Sequence, residues 1–269
     1  MNSRFTWKEV SADRIISGVG RRIVDIPHSI IWRSGSRQTK SNHEKLDLYD
    51  NLHYGKRCFI LANGPSLNKV DLNVLKGEFT FGLNRIYLLF DKIEFRPTYF
   101  VSINELVLEQ FHHEIKNLPF PKFVNWNRRN LFKDAENTIF VRVGFNISER
   151  FTKDPIFPLS SGGTVTYIAL QLAYYMGFTQ VILIGLDHSF SDKGIPNKTE
   201  IQSKTEDTNH FAPDYFPKGV KWQLPDLGRS EMAYQLARKE FERDGRKIFD
   251  ATTGGKCEVF DKIEFNSLF

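Results

Sequence analysis

A chain of 269 residues, 41% hydrophobic and 26% charged, has the composition of a soluble globular protein and the length for one large α/β domain. Its net charge of +5 favours anionic ligands such as nucleotides or phospholipid headgroups and is too small for a nucleic-acid footprint, so no nucleic-acid partner is expected. The two distant cysteines, Cys58 and Cys257, argue against a disulfide framework, and the lack of a transmembrane-length apolar run or signal-peptide pattern predicts a cytoplasmic protein.

Residues 1–55 read as a basic N-terminal extension. Ile15 to Val24 and Ile30-Ile31-Trp32-Arg33 mix apolar and basic residues, and the polar run Ser34 to Glu44 reads as a linker. Such a segment packs on its own domain, as Gly18, Gly20 and Pro27 favour by interrupting a continuous helix, or lies on an anionic membrane surface with Arg21, Arg22 and Trp32. From Lys56 the pattern alternates. Strands are predicted over Arg57–Ala62, Phe79–Leu83, Thr98–Ile103, Lys122–Asn125, Thr138–Val143, Gln180–Ile184 and Lys247–Phe249. Helices are predicted from Asp71, and over Glu105–Lys116, Gly162–Met176 and Arg229–Asp244, the third with Ser160 and Ser161 as caps and Gly177 as its stop. This order predicts an α/β fold with a doubly wound, mostly parallel sheet over 56–269. The polar, proline-containing stretch 189–226 is too long for a plain connection and reads as a lid that orders on binding.

In such a sheet ligands dock at the carboxyl ends of strands. Four of the predicted strand ends are polar: Asn63-Gly64-Pro65-Ser66, Asn84-Arg85, Ser102-Ile103-Asn104 and Gly185-Leu186-Asp187-His188. Asparagine offers a donor and an acceptor, as reading a base or ribose edge requires. The small-residue loop Ser160-Ser161-Gly162-Gly163-Thr164 opens a helix and is suited to an anion. The nucleotide-binding residues expected are therefore Asn63, Gly64, Ser66, Asn84, Asn104, Ser161, Gly162 and Asp187, with the N–H groups of Gly64 and Gly162 on phosphate. In the lid, His210 is the natural general base at neutral pH, with Asp214 or Tyr215 to assist or replace it. Neither an Asp-x-Asp pair nor a zinc spacing is present, so no metal ligand is predicted.

The Asn63-Gly64-Pro65-Ser66-Leu67 turn, Asn84, Asn104, Ser161-Gly162 and Gly185-Leu186-Asp187 resemble, in order, the motifs of bacterial lipooligosaccharide sialyltransferases. They also resemble the broader family of 6-hydroxymethylpterin diphosphokinase-like and MAF flagellin glycosyltransferase-like proteins, and the ending Asp250 to Lys256 is closer to that broader group. The resemblance implies a Rossmann-like, GT-A-like fold and a site for a nucleotide on Asn63, Asn84 and Asn104. It departs at two places. Pro158 or a near neighbour stands where the sialyltransferases carry an arginine, and Asp214 stands where they carry their catalytic histidine.

The expected function is a nucleotide-sugar-dependent, sialyltransferase-like glycosyltransferase of surface glycan synthesis, CMP-linked donors favoured, with a glycan or lipid-linked acceptor and no cofactor. The alternatives are an ATP-dependent 6-hydroxymethylpterin diphosphokinase, which would use magnesium, and a non-catalytic nucleotide-binding protein. Peripheral contact with the inner face of the membrane and self-association are left open.

Overall fold

A computed structural model describes residues 24–144 and 148–269. Residues 24–33 (α1) are helical and lead through Gly35, at φ +64°, into α2 (Arg37–Asp47). The second helix corrects the expected linker. Ser36 caps it by accepting from Thr39 N–H, and Asn42 clasps the backbone of Phe140, donating to its carbonyl at 2.9 Å and accepting from its N–H at 2.8 Å. Polar residues here face strand backbone rather than water, so hydropathy read them as a connection. Trp32 packs edge-on against Trp126 with ring centroids 5.0 Å apart and donates its indole N–H to Ile156 O at 2.8 Å. The packing reading holds for this part of the segment; Arg21 and Arg22 lie outside the described residues.

The sheet comprises β1 (Arg57–Leu61), β2 (Phe79–Leu83), β3 (Tyr99–Ser102), β4 (Lys122–Asn125), β5 (Thr138–Val141), β8 (Gln180–Ile184), β11 (Lys247–Asp250) and β12 (Asp261–Lys262). Its order is β12-β11-β8-β1-β2-β3-β4-β5, and every ladder is parallel. The two-residue strands β6 (Val143–Gly144) and β7 (Leu159–Ser160) pair with each other outside it. Parallel strands are covered on both faces, and the period of two shows how. In β1, Cys58 and Ile60 enter a core with α4 (Val165–Tyr175) and α5 (Leu227–Arg243), while Phe59 and Leu61 enter one with α3 (Glu105–Lys116). This is the doubly wound, Rossmann-like α/β architecture that the alternation predicts.

Two helix starts differ from expectation. Residues Leu72–Leu75 form one 3₁₀ turn, since Gly77 follows too soon for a longer helix. Helix α4 begins at Val165 with Thr164 as its cap, because Gly162 and Gly163 both take positive φ, +54° and +73°. Its stop is as expected, with Gly177 at φ +86°. The 189–226 stretch carries an antiparallel hairpin, β9 (Thr199–Ile201) with β10 (Lys221–Gln223), and buries Phe211, Ala212 and Tyr215 against the sheet. Among the described residues no helix is long and apolar enough to cross a membrane.

Candidate active site

The chain builds outward from β1 to β5 and then returns to the other side of β1 with β8, so the order reverses between β1 and β8. Loops leaving these two strands diverge from a common edge, which is where an open sheet holds its ligand. Here the Asn63-Gly64-Pro65-Ser66 turn meets Gly185-Leu186-Asp187. Gly64 N–H donates to Gly185 O at 2.9 Å, and Ser66 donates to the Asp187 carboxylate from its N–H at 3.2 Å and its hydroxyl at 2.6 Å. The φ of Gly64, −70°, suits any residue; space is what demands glycine. A Cβ there would stand 1.9 Å from Asp187 Oδ2 and 2.7 Å from Gly185 O. Asp187 thus clamps the turn.

A cavity of about 980 Å³ opens over these loops. Asn63, Gly64, Asn84, Asn104, Ser161, Asp187 and His210 all line it, so seven of the ten predicted site residues converge. Ser66, Gly162 and Asp214 do not line it. Ser66 is buried behind the wall with its hydroxyl on Asp187. Gly162 donates its N–H to Glu149 Oε2 at 3.1 Å. Neither glycine N–H expected on phosphate is therefore available, since each already has a protein acceptor.

The three asparagines differ in their ties. Asn104 caps α3, its Oδ1 accepting from Leu106 N–H at 2.9 Å and Val107 N–H at 3.3 Å. Asn84, at φ +46°, accepts from Ser102 Oγ at 3.0 Å. Asn63 is 9% exposed, and its Oδ1 is buried with no partner. Of the four such orphaned side-chain atoms among the described residues, two belong to residues lining this cavity, Asn63 Oδ1 and Asn127 Oδ1. A buried acceptor without a donor costs roughly 1–3 kcal/mol, which a ligand N–H or O–H would relieve.

The lid contributes His210. Its Nδ1 lies 2.8 Å from Asp207 Oδ2, and its ring stacks on Tyr215 at 3.9 Å between centroids with 4° between planes. Phe190 and Phe216 meet the ring edge-on. Asp207, with a side chain 2% exposed, also accepts from Asn209 N–H at 2.9 Å. A carboxylate only accepts, so His210 carries a hydrogen on Nδ1. Nε2 has no hydrogen-bond partner among the described residues. Asp214 is exposed outside the cavity, and the residue is held through its carbonyl, which accepts from Arg85 Nη1 at 3.0 Å. This corrects its assignment as a catalytic group. The tight turn that buries Tyr215 sends its neighbour outward. Burial also pushes the Tyr215 phenol far above its ordinary value, so it is no base near neutrality.

Behind the small-residue loop stands Arg229, from the first turn of α5. It pairs with Glu149, Nε to Oε1 at 2.6 Å, and donates from Nη2 to Ser161 Oγ at 3.0 Å. At the opposite end Asn127 Nδ2 bridges Asp25 Oδ1 and Glu105 Oε1, each at 3.2 Å, beside His28. Burial, reinforced by Arg129, lowers the His28 pKa. Among the described residues no group of three or more His, Cys, Asp or Glu could hold a metal ion.

Sequence reasoning missed Asp207, Glu149, Arg229, Asp25 and Asn127. Asp207 had a signal, three residues before His210. The others reach the cavity from distant elements, and nothing in their local spacing marks them.

A search of curated proteins finds no match. Among solved structures, the MAf glycosyltransferase from Magnetospirillum magneticum AMB-1 is similar in fold, with a TM-score of 0.50 and 17% identity. The match covers 84% of this chain and 39% of that one, so this chain spans well under half the length of its structural relative. A family model described as 6-hydroxymethylpterin diphosphokinase MptE-like matches residues 36–193, from α2 through β8 and into the lid, and the chain belongs to that family.

Proposed function

We propose that this protein is a nucleotide-sugar-dependent glycosyltransferase, with His210 as its general base. The observation that carries the reading is the Asp207–His210 pair. It sets a carboxylate-held imidazole on the cavity that the orphaned Asn63 Oδ1 also lines, at the β1/β8 switch point. The solved relative's description as a glycosyltransferase supports it. Nε2 takes the proton of an acceptor hydroxyl as that oxygen attacks the anomeric carbon. The bond from that carbon to the donor phosphate breaks, and its electron pair leaves on the phosphate oxygen. Asp207 holds the ring in one tautomer and stabilises the imidazolium that forms. Asn63, Asn84 and Asn104 meet the nucleoside. Ser161 Oγ accepts from Arg229, so its own hydrogen remains to reach the phosphate. A CMP-linked sugar as donor and a glycan or lipid-linked acceptor belong to the same reading.

The test is release of nucleotide from CMP-, UDP- and GDP-sugars by the purified chain, with and without EDTA. His210→Ala should lower turnover about a hundredfold or more and leave nucleotide affinity nearly intact. Asp207→Asn should reduce it less and shift its pH profile, since the ring loses the partner that fixes its tautomer. Full turnover in His210→Ala would remove the mechanism.

The family description supports a second reading, pyrophosphate transfer from ATP to a pterin alcohol. Asp25, Glu105 and Glu109 line the same cavity, and one or two carboxylates suffice for Mg²⁺ carried by phosphates. Strict magnesium dependence with AMP as product would select it.

A further inference from the structure

The small-residue loop expected to receive phosphate already holds an anion. Glu149 Oε2 accepts from Gly162 N–H at 3.1 Å and from the Ser160 hydroxyl, while Oε1 accepts from Arg229 Nε and Nη2, both at 2.6 Å. The Glu149 side chain is 11% exposed. The backbone that carries these donors is closely packed. A Cβ at Gly162 would stand 2.5 Å from Tyr167 Cδ1 and 2.6 Å from Ala233 Cβ, so the N–H is aimed by close packing. A backbone N–H, a hydroxyl and a guanidinium converging on one point are what a phosphate oxygen seeks, and an internal carboxylate has taken all three.

The remaining charges do not compensate. Asp25, Glu105, Glu109, Glu149 and Asp187 line the cavity. Three side-chain cations face them among the described residues: Arg128, Lys221 and Arg229. Arg128 is paired with Glu105 at 2.5 Å and Glu109 at 2.6 Å, and Arg229 with Glu149. Lys221 is exposed on β10. Asp25 is paired in turn with the buried Arg142, so the carboxylates outnumber the cations by one when the histidines are neutral.

We propose that Glu149 is a specificity-determining residue. By filling the Ser160–Gly162 cradle and neutralising Arg229, it restricts the cavity to ligands carrying a single phosphate and rejects free nucleoside di- and triphosphates. The inference rests on the nucleotide reading above and deepens it by naming the charge class of the ligand. Ser161 remains to hold one phosphate, and each further phosphate meets the Glu149 carboxylate. An unneutralised guanidinium about 6 Å from a second phosphate, at an effective dielectric near 20, would favour it roughly a hundredfold, and pairing with Glu149 cancels that attraction. A divalent cation riding on the polyphosphate removes most of its repulsion by that carboxylate.

The experiment is calorimetric binding of CMP, CDP and CTP, and of UMP, UDP and UTP, to the full chain in EDTA buffer. The wild-type protein and Glu149→Gln are compared; glutamine keeps an acceptor for Arg229 and drops the charge. Glu149→Ala serves as a second variant, and thermal unfolding checks that each is folded. In the wild type a monophosphate should bind at least tenfold tighter than its triphosphate, and Mg²⁺ should narrow that gap. In Glu149→Gln the gap should close by tenfold or more through gain of triphosphate affinity. Wild-type preference for a triphosphate without magnesium overturns the proposal even if neither variant folds. An unchanged mono-to-triphosphate ratio in a folded variant overturns it as well. Failure of all six nucleotides to bind the wild type or either variant removes the nucleotide reading itself, and this inference with it.

Discussion

Replacing Gly64 by alanine tests the β1/β8 junction directly. The added Cβ would lie 1.9 Å from Asp187 Oδ2, 2.6 Å from Asp187 Cγ and 2.7 Å from Gly185 O, so the Asp187 carboxylate must leave its seat. Leaving breaks its hydrogen bonds from Ser66 N–H and Oγ. Bonds to a charged group contribute roughly 1.5–3 kcal/mol each, which sets a loss of about 3 kcal/mol or more before any backbone shift against Gly185. For a domain of this size that is a fall of about 6–12 °C in Tm. The assay is thermal unfolding of Gly64→Ala, Asp187→Ala and the double variant. Because one clash is with Asp187 itself, the double variant should cost less than the two single losses added. A Tm within about 2 °C of wild type for Gly64→Ala, or strict additivity in the cycle, would refute the clamp.

Asn63→Leu should act in opposite directions on two readouts, weakening nucleotide binding by about 1–3 kcal/mol while leaving the Tm of the free protein unchanged or higher, because the orphaned Oδ1 disappears with it; a large fall in Tm would show that Asn63 has a structural partner. Asp214→Ala should leave turnover in the proposed transfer assay within about twofold of wild type, since the residue is exposed and does not line the cavity, and steady-state kinetics check this. Burial lowers the pKa of His28, His43 and His53 below the ordinary value of about 6.5. The unfolded chain therefore binds more protons than the native one just below that value, so their contribution is complete above it and is lost as pH falls towards the folded pKa values. Urea midpoints should decline between about pH 7 and pH 5.5; a flat profile would contradict the lowered values.

The sheet was legible because its strands are short apolar runs ending in glycine, asparagine or proline, as Cys58 to Pro65 shows. Parallel strands buried on both faces have no polar phase to confuse the reading. Helix α2 was illegible for the complementary reason. Thr39 and Asn42 are buried polar residues satisfied by backbone carbonyls and N–H groups far away in sequence, so the segment looked solvated. At the site, residues on strand ends could be read from the open-sheet rule, and Asn63, Asn84, Asn104 and Asp187 converge as it requires. What the rule could not foresee was occupancy. Whether Gly64 and Gly162 have free N–H groups depends on Gly185 and Glu149, acceptors supplied by other loops. The base was ambiguous between His210 and Asp214 because a four-residue spacing in a loop carries no facing rule, unlike the same spacing on a helix.

The reversal of strand order beside β1 also bears on how the chain is made. Strand β1 needs β2 on one side and β8 on the other, yet β2 follows it at once and β8 begins only at Gln180. With parallel ladders throughout, no hairpin can shield the waiting edge. At about 5–20 residues per second, a ribosome leaves the Cys58-Phe59-Ile60-Leu61 edge open for roughly ten seconds. The nascent chain thus carries an apolar, unpaired template while more than a hundred residues are added, the condition in which strands recruit the wrong partner. Fragments that stop short of Ile184 should aggregate rather than fold.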